Sequence, residues 1–76
     1  MIKVEELFEK ARTHQERFKD LTKKNFWQSL WLILEEIVYY GGADILFNGK
    51  VYKVRTTDDA IMLFLEIYDA YKTSIA

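Results

Sequence analysis

The sequence has no cysteine and no proline, and a single histidine, His14. Without cysteine it can form neither disulfides nor a thiolate nucleophile, and the usual zinc frameworks are excluded. One histidine leaves no His–His metal pair. Nucleophilic catalysis by a hydroxyl needs a base beside it, and no serine sits in a nucleophile-elbow context, so His14 reads as a packing residue or as part of a hydrogen bond between helices. Glycine is also scarce. Gly41-Gly42 follows a helical stretch and precedes a strand, the reverse of a phosphate-binding loop. The most apolar stretch is broken by Glu35 and Glu36 and is too short to span a bilayer. The segment Met1-Ile2-Lys3-Val4-Glu5-Glu6 lacks the basic start and apolar run of a secretory leader, so the expected location is cytoplasmic, with no membrane partner.

What remains is a folding composition. Half of the 76 residues are hydrophobic and 16% are aromatic, which places the chain far from low-hydrophobicity disordered sequences. A chain this long builds one core, so residues 1–76 are expected to form a single domain with no room for a separate catalytic one. Such a domain buries only about 60–65% of its unfolded surface and must pack unusually well or gain area by self-association.

Val4, Leu7, Phe8, Ala11, Phe18 and Leu21 recur at helical spacing, predicting an amphipathic helix from Val4 to Lys24 with favourable Glu6/Lys10 and Asp20/Lys24 pairs. Its apolar stripe is interrupted at His14 and Gln15. Asn25 is a candidate N-cap for a second helix, Phe26 to Tyr40, in which eleven of fifteen residues are apolar, marking it as the core helix. Leu32 and Tyr39 fall within its polar stripe. Gly41-Gly42 ends it. Asn48-Gly49 between Ala43–Phe47 and Lys50–Arg55 is the strongest short hairpin signal, because both central positions of a type I′ turn need positive φ. A two-residue turn pairs Phe47 with Lys50, Leu46 with Val51, Ile45 with Tyr52 and Asp44 with Lys53, and turns Ile45, Phe47, Tyr52 and Val54 toward the helices. Thr56-x-x-Asp59 reads as a capping box opening a third helix that runs to about Ser74. Its broad apolar arc takes in Ile61, Leu63, Phe64, Leu65, Ile67, Tyr68 and Tyr71, and Met62 interrupts an acidic stripe of Asp58, Glu66 and Asp69. The expected fold is a helix-dominated α+β domain of order α-α-β-β-α with one hairpin.

Paired carboxylates are the best enzymatic candidates. Glu35-Glu36 and Glu66-x-x-Asp69 resemble, over four residues, the magnesium site of the helical nucleotide pyrophosphatases. The sequence departs from that pattern at Tyr39, where the family has a third glutamate, and a hairpin separates the two helices. The acids therefore read as solvated faces, caps and ion pairs, with no metal or cofactor expected.

Charge is segregated along the chain. Residues 1–24 carry seven basic and five acidic groups, residues 25–49 three acids and no base, residues 50–55 three bases, and residues 56–76 one base and four acids. A basic surface built from Arg12, Arg17 and Lys19 of the first helix with Lys53 and Arg55 of the hairpin would suit nucleic acid, if the two elements lie side by side. The acidic pI of about 5.8 and the interleaved Glu16 and Asp20 weigh against it.

Protein–protein contact has more support. The apolar arcs of the second and third helices are too wide for three helices and one hairpin to cover, and Trp, Tyr and Met are enriched in interface cores. The expected binding residues are Trp31, Leu32 and Tyr39 rimmed by Glu35 and Glu36, together with Met62 and the Leu46/Val51 pair on the outer hairpin face. The unpaired hairpin edges also invite strand addition. The resulting expectation is a non-enzymatic, homodimeric interaction module that modulates or inhibits a larger protein. In size and style it resembles accessory proteins of phages and mobile elements.

Overall fold

The first helix begins with the chain closing on itself: the backbone N–H of Lys3 donates to a carboxylate oxygen of Glu6 at 2.7 Å. This use of Glu6 replaces the expected Glu6/Lys10 pair. A computed structural model describes residues 1–73. Its elements run β1 (Ile2–Lys3), α1 (Val4–Phe18), α2 (Lys23–Tyr39), β2 (Ala43–Phe47), β3 (Lys50–Val54) and α3 (Thr57–Tyr71). The fold is α+β with the expected order of helices and hairpin, preceded by a short strand. The expected end of the last helix at Ser74 lies outside the described residues.

α1 stops at Phe18, six residues before the expected Lys24. Lys19 adopts a left-handed conformation at φ 55°, and its N–H returns to the Gln15 and Glu16 carbonyls. The Asp20 carboxylate then accepts from the N–H and hydroxyl of Thr22 at 3.2 and 2.9 Å, so Asp20 shapes a loop where a helical pair with Lys24 was expected. Thr22, and not Asn25, caps α2: its hydroxyl accepts from the Asn25 N–H at 3.2 Å. The break also explains the polar gap in the α1 stripe. Gln15 is buried, and its amide donates to the carbonyls of Asp20 and Thr22 at 3.2 and 2.9 Å, satisfying loop groups that would otherwise be orphaned. Phe18 and Leu21, expected on the buried stripe, are exposed because the helix ends beneath them.

The hairpin has the expected register throughout, from Phe47↔Lys50 to Ala43↔Val54. Asn48 and Gly49 take φ of 56° and 77°, as a type I′ turn requires. Ile45, Phe47 and Val54 are buried on the helix side and Tyr52 is half-buried beside them. On the outer face Asp44 is ion-paired with Arg55 at 3.0 Å, diagonal to its cross-strand neighbour Lys53, which was the expected partner. The sheet has three strands where two were expected, because β1 pairs in parallel with β2 through Ile2↔Ile45 and Lys3↔Leu46. β2 is therefore central, and one of the two hairpin edges expected to be open is covered. Two residues carry no alternation to reveal such a strand.

The helices lie on one face of this sheet. α2 packs against both α1 and α3, with α1 meeting the sheet at β1 and β2, and α3 meeting it at β3. The core is continuous through Leu7, Ala11, Phe26, Leu30, Leu34, Ile45, Val54, Leu63 and Ile67, all essentially inaccessible. At the end of α2 the N–H of Gly42 donates to the Ile37 carbonyl at 2.8 Å. Gly42 sits at φ 87°, and a Cβ there would run into the Val54 carbonyl oxygen, so the turn into β2 requires glycine. α3 opens with the expected capping box. Asp59 Oδ2 accepts from the N–H groups of Arg55 and Thr56 at 3.0 and 3.1 Å, and the Asp59 N–H donates to the Thr56 hydroxyl at 3.2 Å.

Candidate protein-binding face

α2 and α3 run antiparallel. Trp27 meets Tyr68 with ring centroids 4.9 Å apart, Trp31 meets Phe64 one turn further along at 5.6 Å, and the Lys23 ammonium donates to the Lys72 carbonyl at the near end. Large rings at this seam leave an open groove of about 560 Å³, lined by Lys23, Lys24, Trp27, Gln28, Trp31, Phe64 and Tyr68. Edge-to-face packing of Trp27 on Phe26 and Phe64 fixes the groove floor. The indole N–H of Trp27 is buried and has no hydrogen-bond partner among the described residues.

The apolar surface continues beyond the groove on α3. Ile61, Leu65 and Tyr68, one and two turns apart, are 41%, 57% and 42% exposed. The opposite side of the helix supplies Ala60, Leu63 and Ile67 to the core, so the apolar arc, expected to be wider than the core can cover, is divided between core and solvent. Isolated exposed apolar residues are ordinary, but a stripe of i, i+4, i+7 spacing beside an aromatic groove forms a contiguous patch.

The sequence-expected binding residues are distributed over three surfaces. Trp31 lines the groove. Leu32 and Tyr39 are exposed on a shoulder of α2, about 80–100° around the helix from Trp31, where Tyr39 stacks edge-on to Tyr40 at 5.0 Å. Glu35 is exposed between the two, whereas Glu36 borders a smaller cleft with Lys10, Ile37 and Tyr40 on the α1 side. Met62 faces the hairpin near Tyr52, Lys53 and Glu66. Leu46 and Val51 are cross-strand neighbours on the outer face of the sheet. Trp27, Ile61, Phe64, Leu65 and Tyr68 are the residues that sequence reasoning assigned elsewhere. The available signal was the i, i+3, i+4, i+7 repeat of Ile61, Phe64, Leu65 and Tyr68, which marks a packing face without saying against what.

The basic residues do not converge. Arg12 lies over the Phe26 ring at 5.3 Å, and Arg17 and Lys19 are exposed near the end of α1, on the helix side of the sheet. Lys53 and Arg55 belong to the outer face at the far strand, and Arg55 is engaged by Asp44. The carboxylates are likewise dispersed, and among the described residues no group of three or more His, Asp or Glu side chains could hold a metal ion. Glu66 instead lies beside Tyr52, whose phenol is raised above its ordinary pKa by partial burial first and then by that carboxylate. The His14 Nδ1 forms a 2.9 Å hydrogen bond with the Ser29 hydroxyl, joining α1 to α2 as one of its two sequence readings anticipated.

No described helix is long and apolar enough to cross a membrane. Comparison with known protein families, with curated proteins and with solved structures returns no match. What is defined is a class: a small α+β domain that carries an apolar, aromatic face between two antiparallel helices.

Proposed function

We propose that this chain is a protein-binding module that acts by occupancy, without a reaction of its own, and that its binding surface is the α2–α3 face. The observation that carries this reading is the contiguous exposure of Ile61, Leu65 and Tyr68 alongside the Trp27–Trp31–Phe64 groove. Aromatic anchors in a partly desolvated groove, rimmed by Lys23, Lys24 and Gln28, match the composition of interface cores and their polar rims. A domain of 9.1 kDa bound in this way regulates a larger protein by covering its surface, and self-association belongs to the same reading.

A photo-activatable phenylalanine analogue at Leu65 tests it in living cells. The expected result is a discrete protein adduct from Leu65 and none from Glu16, an exposed residue on α1. Absence of any adduct from Leu65 removes the reading.

A further inference from the structure

We propose that a second copy of this chain occupies the α2–α3 face about a two-fold axis, an inference that rests on reading that face as the binding surface and names its partner. The argument comes from the charge polarity of the face. Because the helices are antiparallel, the start of α2 and the end of α3 share one end. Lys23 and Lys24 stand there as exposed cations, while Lys72 is held by Asp69 at 3.3 Å. The other end carries exposed Glu35 on α2 and Asp58 in the first turn of α3. Among the described residues none of Lys23, Lys24, Glu35 or Asp58 is in an ion pair. Between the two ends the surface is apolar: Trp31, Phe64, Leu65, Tyr68 and Ile61.

Such a face complements itself. A two-fold axis lying in the plane of the contact, perpendicular to the helices and near the level of Trp31 and Phe64, brings the two faces together and turns the second copy end for end, with α2 over the partner's α2. The lysines of one protomer then meet the acids of its partner. At 1.5 Å per residue, Lys24 lies about 10 Å to one side of the Trp31 level, while Glu35 lies about 6 Å and Asp58 about 9 Å to the other, so the charges come into register at both ends at once. An isologous contact of this kind needs no foreign surface, and the apolar stripes meet at its centre.

Two helices side by side, each about 10 Å across and about 20 Å long, project about 400 Å² before side-chain relief is counted, against about 800 Å² per partner in a standard stable interface, so the expected dimer is one of modest affinity.

Sedimentation equilibrium from about 1 to 500 μM at low salt tests the proposal. The expected result is a species of twice 9.1 kDa. Leu65→Glu is expected to give the monomer with an unchanged helical circular dichroism signal. Two charge reversals at exposed positions keep the test independent of that variant. Lys24→Glu and Glu35→Lys are each expected to weaken the dimer at least tenfold, and the double reversal, K24E/E35K, to recover most of the loss, because the two-fold pairs each position with the other. A wild-type monomer throughout this range overturns the proposal. So does a dimer indifferent to Leu65→Glu, or a double reversal no tighter than the single ones. A monomer that still gives the Leu65 adduct with another protein overturns only the second copy, whereas a monomer with no adduct removes the binding-module reading as well.

Discussion

The two seams of α2 solve the same packing problem with different materials. Toward α1 the contact is made by Leu7, Ala11, Phe26 and Leu30, with the small residues Ala11 and Ser29 fully buried, so the backbones approach and the seam closes. Its polar groups are bonded: Gln15 to the loop, and His14 to Ser29. Toward α3 the contact is made by Trp27, Trp31, Phe64 and Tyr68, whose rings meet edge to face and leave an open channel between them. Small residues let helices interlock, while large flat ones hold them apart and keep a wall of ring surface in reach of water. The first seam is structural by construction. The second supports the fold with one side and offers the other.

The contrast can be broken by substitutions of decreasing consequence. Leu30→Ala, at the floor of the closed seam, is expected to cost about 2–5 kcal/mol, read as a fall in the urea midpoint, which is a large part of the total for a domain this small. A cost below about 1 kcal/mol would mean that the seam is looser than its burial implies. Overfilling separates the two seams more directly. Ala11→Leu is expected to cost about 1–3 kcal/mol, whereas Gln28→Leu on the groove rim should stay within about 0.5 kcal/mol. Gln15→Ala leaves the Asp20 and Thr22 carbonyls without their donor and is expected to cost about 1–3 kcal/mol, with faster hydrogen exchange in the loop between α1 and α2.

A milder effect is expected where α3 starts. The Arg55 and Thr56 N–H groups hold the Asp59 carboxyl below its ordinary pKa, the Arg55 bond being the larger cause. A carboxyl whose folded pKa is depressed stabilises the fold above its unfolded pKa, and that contribution is lost as pH falls from about 4 through the folded value. Asp59→Asn should therefore flatten part of the acid limb of a stability-versus-pH curve while leaving Leu30→Ala as costly as before. The smallest expected effect on folding is that of Leu65→Glu, within about 0.5 kcal/mol of wild type by thermal melting. A large loss there would show that the α3 stripe belongs to the core after all.

These differences also mark what the sequence could reveal. The hairpin register was legible in full, because Asn48-Gly49 fixes the turn and the turn fixes every pair after it; the outer-face charge pair was not, Asp44 taking Arg55 in place of Lys53. The Thr56–Asp59 box and the Gly41-Gly42 stop were equally local, and local geometry is what residue type encodes most directly. The break between α1 and α2 was not legible. Periodicity carried the pattern on to Leu21, while the deciding facts were a left-handed Lys19 and a buried Gln15 reaching across to the loop. The candidate face was half legible. An excess of apolar arc could be counted on α2 and α3, but which residues the core would take depended on how α3 settles on β3. Ala60, Leu63 and Ile67 went inward, and Ile61, Leu65 and Tyr68 were left outside.

The parallel contact of Ile2 with Ile45 has a kinetic consequence. The α1–α2 hairpin and the β2–β3 hairpin each join neighbours in the chain, so their loops close quickly and at little entropic cost. β1 closes a loop of roughly forty residues for only two residues of pairing. It has nothing to pair with until β2 exists, so it is expected to dock last during folding and to open first from the native state. Amide exchange on the β1-facing edge of β2 is then expected to outrun that of the β2–β3 pairs Ile45–Tyr52 and Phe47–Lys50, which would make the first strand a latch on a fold already assembled behind it.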